Sequence, residues 1–239
     1  IWDSVSAAVG AVKGVSAFML SFVPAFAGVV ALSGKAVTAA SMSALLLVAS
    51  EAVAYISSYA ILPLMGGYLS ISISTGVSPL LENSGIAEGI KKVSSWFMTL
   101  ISTLFIGVLS IQTVVNSAAD GLTLKTAKFI LGTSVPIVGG ALSEAVSTVS
   151  ASMGLLKSSI GIYGVVALAV ILLPIILEII IWRAVLLLAS MASSTFCLPK
   201  ISGILKAVDS MMALLLGIVL FVGGLFIISL TVVVTAGKT

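Results

Sequence analysis

Long apolar runs separated by short polar breaks dominate the chain. Residues 15–33, 36–64, 93–115, 124–142, 143–174, 175–198 and 213–234 are apolar over lengths near or above the ~20 residues that cross a hydrocarbon core as a helix. Residues 68–81 are weaker, with Ser70, Ser72, Ser74, Thr75 and Gly76. They predict either a short crossing or a re-entrant piece, because irregular backbone survives at membrane depth only where protein covers it. Within the polar stretch 82–92, Ile86 and Ile90 continue to Val93 and Phe97 at helical spacing with charges opposite, which predicts a helix lying at the interface. Pro24 and Pro136 predict kinks, since a proline removes one helical hydrogen bond. Pro63 with Gly66-Gly67 closes one predicted segment, and Pro174 closes another.

The pattern occurs twice. At an offset of 111 positions, Gly121 matches Gly10, Phe129 matches Phe18, Leu131 matches Leu20 and Gly139 matches Gly28. Ala151-Ser152-Met153 matches Ala40-Ser41-Met42, and Leu173-Pro174 matches Leu62-Pro63, in the same register. A three-residue word and a Leu-Pro pair at one fixed offset predict tandem copies, residues 1–119 and 120–239, of one membrane unit. The expected fold is all-α and polytopic, with about four helical segments per copy and about six to eight membrane segments in all, some kinked or re-entrant. Parallel and inverted repeats both remain open, because Lys13, Lys35, Lys91, Lys92, Lys125, Lys128, Lys200 and Lys206 do not alternate cleanly between loops.

Composition sharpens the class. Hydrophobic residues make up 60 % and charged residues 8 % of the 239 positions, against roughly 25 % charged in soluble domains. The mean hydropathy is +1.32, and the expected environment is the lipid bilayer. A net charge of +3 gives no argument for a nucleic-acid partner. Histidine is absent and Cys197 is the one cysteine, which excludes disulfides within the chain, Cys- or His-based metal sites and His-based acid–base chemistry. No GxSxG, SxxK, HExxH, GxGxxG or Walker pattern occurs, so no enzyme and no cofactor is expected. The chain opens at Ile1, and we expect an initiator Met and further sequence ahead of it.

Charges within apolar segments are candidates for function. Glu51 lies mid-segment with Tyr55 and Ser58 on its face, and it either lines a wet cavity or supports a helix contact. Ser143-Glu144-Ala145-Val146 repeats the word Ser50-Glu51-Ala52-Val53 out of register. Glu178 and Arg183 form a candidate buried charge pair, the alternative being an Arg that reaches toward headgroups. Ser143, Ser147, Ser150, Gly154, Lys157 and Gly161 share one helix face, as do Ser43, Ser50 and Ser57. Small residues let helices approach closely in lipid. These faces, with Glu144 and Glu51, are therefore candidates for close packing, a subunit contact or a pore lining. Asp120 predicts an N-cap, followed by Lys125 and Lys128 at the interface as headgroup anchors or a docking element.

The run from Asp120 to Ile130, DGLTLKTAKFI, followed by Val135-Pro136, resembles the membrane domain of the stage III sporulation protein AE family. Ser110-Ile111-Gln112 and the terminal stretch SLTVVVTAG, residues 229–237, are similar to the same family. The resemblance implies a polytopic protein of the mother-cell membrane around the engulfed forespore of an endospore-forming bacterium. It also implies a place in a secretion-like channel or feeding-tube complex, with a cytoplasmic ATPase, ring-forming proteins of the intermembrane space and a forespore membrane partner. Family members are usually longer at the N-terminus. The expected function is an oligomeric component forming or lining the passage through the outer forespore membrane. A secondary transporter built on repeats and a non-conducting scaffold are the alternatives.

Overall fold

A computed structural model describes residues 2–56, 59–60, 62–77, 84–134 and 139–235. It is all-helical over these residues: α1 (Trp2–Leu32), α2 (Ala36–Ile56), α3 (Leu62–Val77), α4 (Ser84–Ser134), α5 (Gly139–Thr195) and α6 (Pro199–Thr235). Among the described residues, five stretches are long and apolar enough to cross a membrane: Trp2–Leu32, Ala36–Ile56, Lys92–Leu122, Ala151–Thr195 and Pro199–Thr235.

The helices are fewer and longer than the expected segments. The stretch 84–92 does not form a separate interfacial helix but opens α4, and α4 runs on past Asp120 without a break. The expected segments 143–174 and 175–198 are likewise fused into α5, 57 residues and about 85 Å long at 1.5 Å per residue. Pro174 lies inside that helix. A proline costs a helix one hydrogen bond and some bending, and neighbouring groups can satisfy the freed carbonyl. Pro63 does not end a segment either. It stands in the first turn of α3, where its missing N–H would have no helical partner anyway, and Gly66 and Gly67 lie inside that helix. Pro136 is outside the described residues.

Two turns have the same construction. After α1, Gly34 takes a left-handed φ of 85°, its N–H donates to Ala31 O (3.0 Å) and the Lys35 N–H donates to Val30 O (3.3 Å). After α5, Cys197 takes φ 55°, with Cys197 N–H on Ser194 O (3.1 Å) and Leu198 N–H on Ser193 O (3.0 Å). Both are Schellman ends, which occupy carbonyls that a helix terminus would otherwise leave unpaired. Pro199 then opens α6 at a position where proline is well tolerated.

The chain forms two compact units, each drawing on both sides of residue 120. One comprises Ile1–Ser16, Ala52–Thr103 and Ala169–Gly224; the other comprises Ala17–Glu51, Leu104–Leu168 and Leu225–Thr239. The core of the first includes Val5, Val9 and Val12 of α1, Met65 of α3, Ile179 of α5, and Met211, Leu215 and Val219 of α6. The core of the second includes Met19, Val23, Phe26 and Val30 of α1, Met42 and Leu46 of α2, Leu168 of α5, and Phe226 and Leu230 of α6. Spacings of three and four place each set on one helix face. The most apolar 18-residue stretch of α6 is 56 % buried, whereas that of α4 is 6 % buried. Within the isolated chain, α6 is therefore a core helix, and α4 leaves most of its apolar surface to lipid or another molecule.

Candidate functional site

One cluster of polar residues in the second unit forms at the turn between α1 and α2. A helix start needs acceptors for its first N–H groups, and Lys35, the residue before α2, has no acceptor on its side chain. Asp120 of α4 supplies them instead. Its Oδ1 accepts from the Val37 N–H at 2.9 Å. Its Oδ2 accepts from the Thr38 N–H at 3.1 Å and from the Thr38 hydroxyl at 2.6 Å. One turn earlier on α4, the Asn116 amide donates to the Ser41 hydroxyl. Asp120 is 2 % and Asn116 4 % exposed, so Leu109, Asn116 and Asp120 form the face of α4 that this unit buries.

Asp120 is thus the cap of α2, in place of the expected cap of a helix of its own. It lies within α4, and it takes this role because its carboxylate faces the bare N-terminus of another helix. Spacing hints at it: Asn116 and Asp120 are four apart on one helix face within a membrane-length segment, and such residues seek partners across helices. The identity of the acceptor-hungry end is not readable from that spacing.

Lys35 and Lys157 complete the cluster. Lys35 is half-buried in the turn. Burial pushes its ammonium group below the ordinary value of 10.5, and the Asp120 carboxylate partly restores it. Lys157 of α5 is 3 % exposed, in the electrostatic field of both Lys35 and Asp120. Lys157 and Gly161 belong to the small-residue face read from the sequence, and both point inward. A Cβ on Gly161 would collide with Val234 and lie 3.7 Å from the Phe26 ring, and one on Gly164 would lie 2.7 Å from the Phe22 ring. This part of the stripe packs α5 against α1 and α6 within the unit.

The other expected residues fall in separate places. Gly154 is exposed with open space around it. The side chains of Ser143, Glu144, Ser147, Ser150 and Lys128 lie outside the described ones, as do the residues Ser57 and Ser58. Ser43 donates to Ala40 O at 3.0 Å, and buried Ser50 donates to Leu46 O at 2.7 Å. Both hydroxyls are thereby satisfied on α2 itself, a common device in apolar helices. Glu51 and Lys125 are exposed, and the Tyr55 ring lies tilted against that of Tyr59, with centroids 4.7 Å apart. Glu178 and Arg183 do not pair with each other. In the first unit Arg183 Nε donates to Asp209 Oδ1 at 2.9 Å, and Glu178 Oε1 accepts from the Ser4 hydroxyl at 2.7 Å. Five residues along a helix turn the two side chains well apart, so each finds a partner on another helix.

A second polar feature lies on α4. Ser95, Thr99, Thr103, Gly107 and Ser110 are spaced by three and four and are exposed. Thr99, Thr103 and Ser110 donate back to carbonyls of their own helix, at 2.8–2.9 Å. This face is small, hydroxyl-bearing and uncovered within the chain, features that allow close helix approach in lipid.

Comparison with known proteins places these features in context. The model of a family described as stage III sporulation protein AE matches residues 3–237. Stage III sporulation protein AE of Bacillus subtilis (strain 168) is 26 % identical over 235 residues, which cover 98 % of the chain and 59 % of that relative. The chain therefore spans about three-fifths of this relative's length. No solved structure matches the chain.

Proposed function

Because the chain belongs to the stage III sporulation protein AE family, we propose that it is an oligomeric channel component of the sporulation mother cell–forespore complex, forming or lining the passage through the outer forespore membrane. Its membership and its five apolar spans make it a sporulation membrane protein. The channel role is our reading. The observation that carries it is α4, a membrane-length helix with only 6 % of its most apolar stretch covered and a Ser/Thr/Gly face left open. In this reading the open face meets the same helix of a neighbouring copy, or water. In the same reading, the face read from the sequence at Ser143, Ser147, Ser150 and Gly154 would supply a second contact, and the repeat read from the sequence would supply paired helices for a ring. The ATPase and the ring-forming proteins of the intermembrane space are the proposed partners on either side.

The test is the oligomeric state and conductance of the chain in lipid nanodiscs and planar bilayers. The expected result is a homo-oligomer with a continuous water-filled opening, and Thr99→Leu with Thr103→Leu reduces assembly. A folded monomer defeats the channel reading. A closed monomer whose transport depends on Glu51 favours a transporter, and a plugged oligomer favours a scaffold.

A further inference from the structure

One acceptor on the polar face of α4 is left over. That face carries Gln112, Asn116 and Asp120 at intervals of four, and α2 meets it with Thr38 and Ser41. Asp120 takes Thr38 and Asn116 takes Ser41, so the two helices run antiparallel and the next rung belongs to Gln112. The Gln112 Oε1 is buried and has no hydrogen-bond partner among the described residues. Three and four positions beyond Ser41, α2 offers Ala44 and Leu45, whose side chains have nothing to donate. A buried acceptor without a donor is costly, the more so where lipid is the solvent.

A shift of α4 by four residues, about 6 Å along its axis, gives Gln112 a partner. Asn116 then stands at the first turn of α2, and asparagine is as good a helix cap as aspartate. Gln112 meets the Ser41 hydroxyl with the same kind of amide that Asn116 offers it now. Phe105 replaces Leu109 at the buried apolar position, and Asp120 moves out to the level of the Gly34–Lys35 turn. Polar residues thus replace polar ones, and an apolar residue replaces an apolar one. Only 6 % of the most apolar stretch of α4 is covered within the chain, so little packing opposes the movement. We propose that α4 has two registers against α2, one helical turn apart, with Asp120 capping α2 in the first and Asn116 in the second. Slides of one turn between packed elements are a recurring form of conformational switching. The negative charge of Asp120 at the positive end of α2, with its three hydrogen bonds, favours the first register. The inference does not depend on the channel reading.

The experiment uses the full chain in lipid nanodiscs with Cys197→Ser, and spin labels at Val48→Cys on α2 and Leu122→Cys on α4, both exposed positions. Pulsed electron paramagnetic resonance measures the distance between the labels, which the second register lengthens by about 5 Å. The parent is expected to populate mainly the shorter distance. Asp120→Asn removes the charge that favours the first register and is expected to raise the longer-distance population about threefold or more. Asn116→Asp, which puts a carboxylate cap into the second register, is expected to do the same and carries the test if Asp120→Asn does not fold. Adding Gln112→Leu to either variant takes away the rung that the second register gains, and the shorter distance is expected to return. A single, unchanged distance in the parent and both variants overturns the proposal and leaves Gln112 to a buried water. A longer distance that persists with Gln112→Leu also overturns it, because the polar ladder then does not set the shift.

Discussion

Asp120 shows how one side chain can tie two helices together. Its carboxylate caps α2 from α4 through three hydrogen bonds. Losing a cap of this kind costs about 1–3 kcal/mol, because buried N–H groups and a hydroxyl are left without an acceptor. Asp120→Ala is expected to lower thermal stability in detergent by that amount. Asp120→Asn, which retains one carbonyl acceptor, loses less. An Asp120→Ala protein as stable as the parent contradicts the cap. Lys35 gives a pH-dependent counterpart. Its pKa is lowered in the folded state, so over the range below 10.5 the unfolded chain binds more protons and stability rises with pH. Lys35→Met is expected to flatten this part of the profile, and equilibrium unfolding followed from pH 8 to 10 checks the slope. The candidate charges Glu178 and Arg183 were legible as residues but not as partners, since Ser4 and Asp209 come from distant parts of the chain.

At the level of the helix, glycines separate packing from open surface. The Gly161 Cα sits against Val234 and Phe26 of the second unit, whereas Gly154, two turns earlier on the same helix, has nothing within 4 Å. Val234 is β-branched and turns away with difficulty. Gly161→Ala is therefore expected to destabilise by about 1–3 kcal/mol through overpacking. Gly154→Ala is expected to be neutral, or to stabilise by up to about 1 kcal/mol through helix propensity. Parallel melts of the two variants decide it, and equal effects exclude close packing at Gly161. The stripe itself was legible as a period of three and four. Which of its members meet another helix was not, because a small residue looks the same in a sequence whether it is covered or bare. The breaks were misleading for a related reason. Pro63 and Pro174 are the same Leu-Pro word, yet one opens α3 and the other lies within α5.

For the whole molecule, the apolar surface follows the membrane rather than the core. Large side chains such as Val166, Val170, Leu173, Leu177 and Ile181 are exposed on one side of α5, the arrangement expected where lipid is the solvent. Polar turns then mark the membrane surfaces. Cys197, the one cysteine, lies exposed in the turn between the spans ending at Thr195 and starting at Pro199. A membrane-impermeant maleimide is expected to label it in either right-side-out or inverted vesicles, but not both, and Cys197→Ser abolishes the labelling. Labelling in neither orientation places the turn inside the bilayer and overturns the span boundaries.

Composition and the length of apolar runs by themselves determined the expected solvent and the helical class, and one contiguous word carried the resemblance to the family. Each depends on local transfer free energy or on a contiguous word such as DGLTLKTAKFI, and neither needs a partner to be known. Only the tertiary structure decided that α4 and α5 run through the expected breaks, that Asp120 caps α2, and that Lys157 and Gly161 face inward. Those outcomes depend on which unsatisfied helix end, glycine or charge approaches which other. That choice is made by long-range packing, about which a run of apolar residues carries no information.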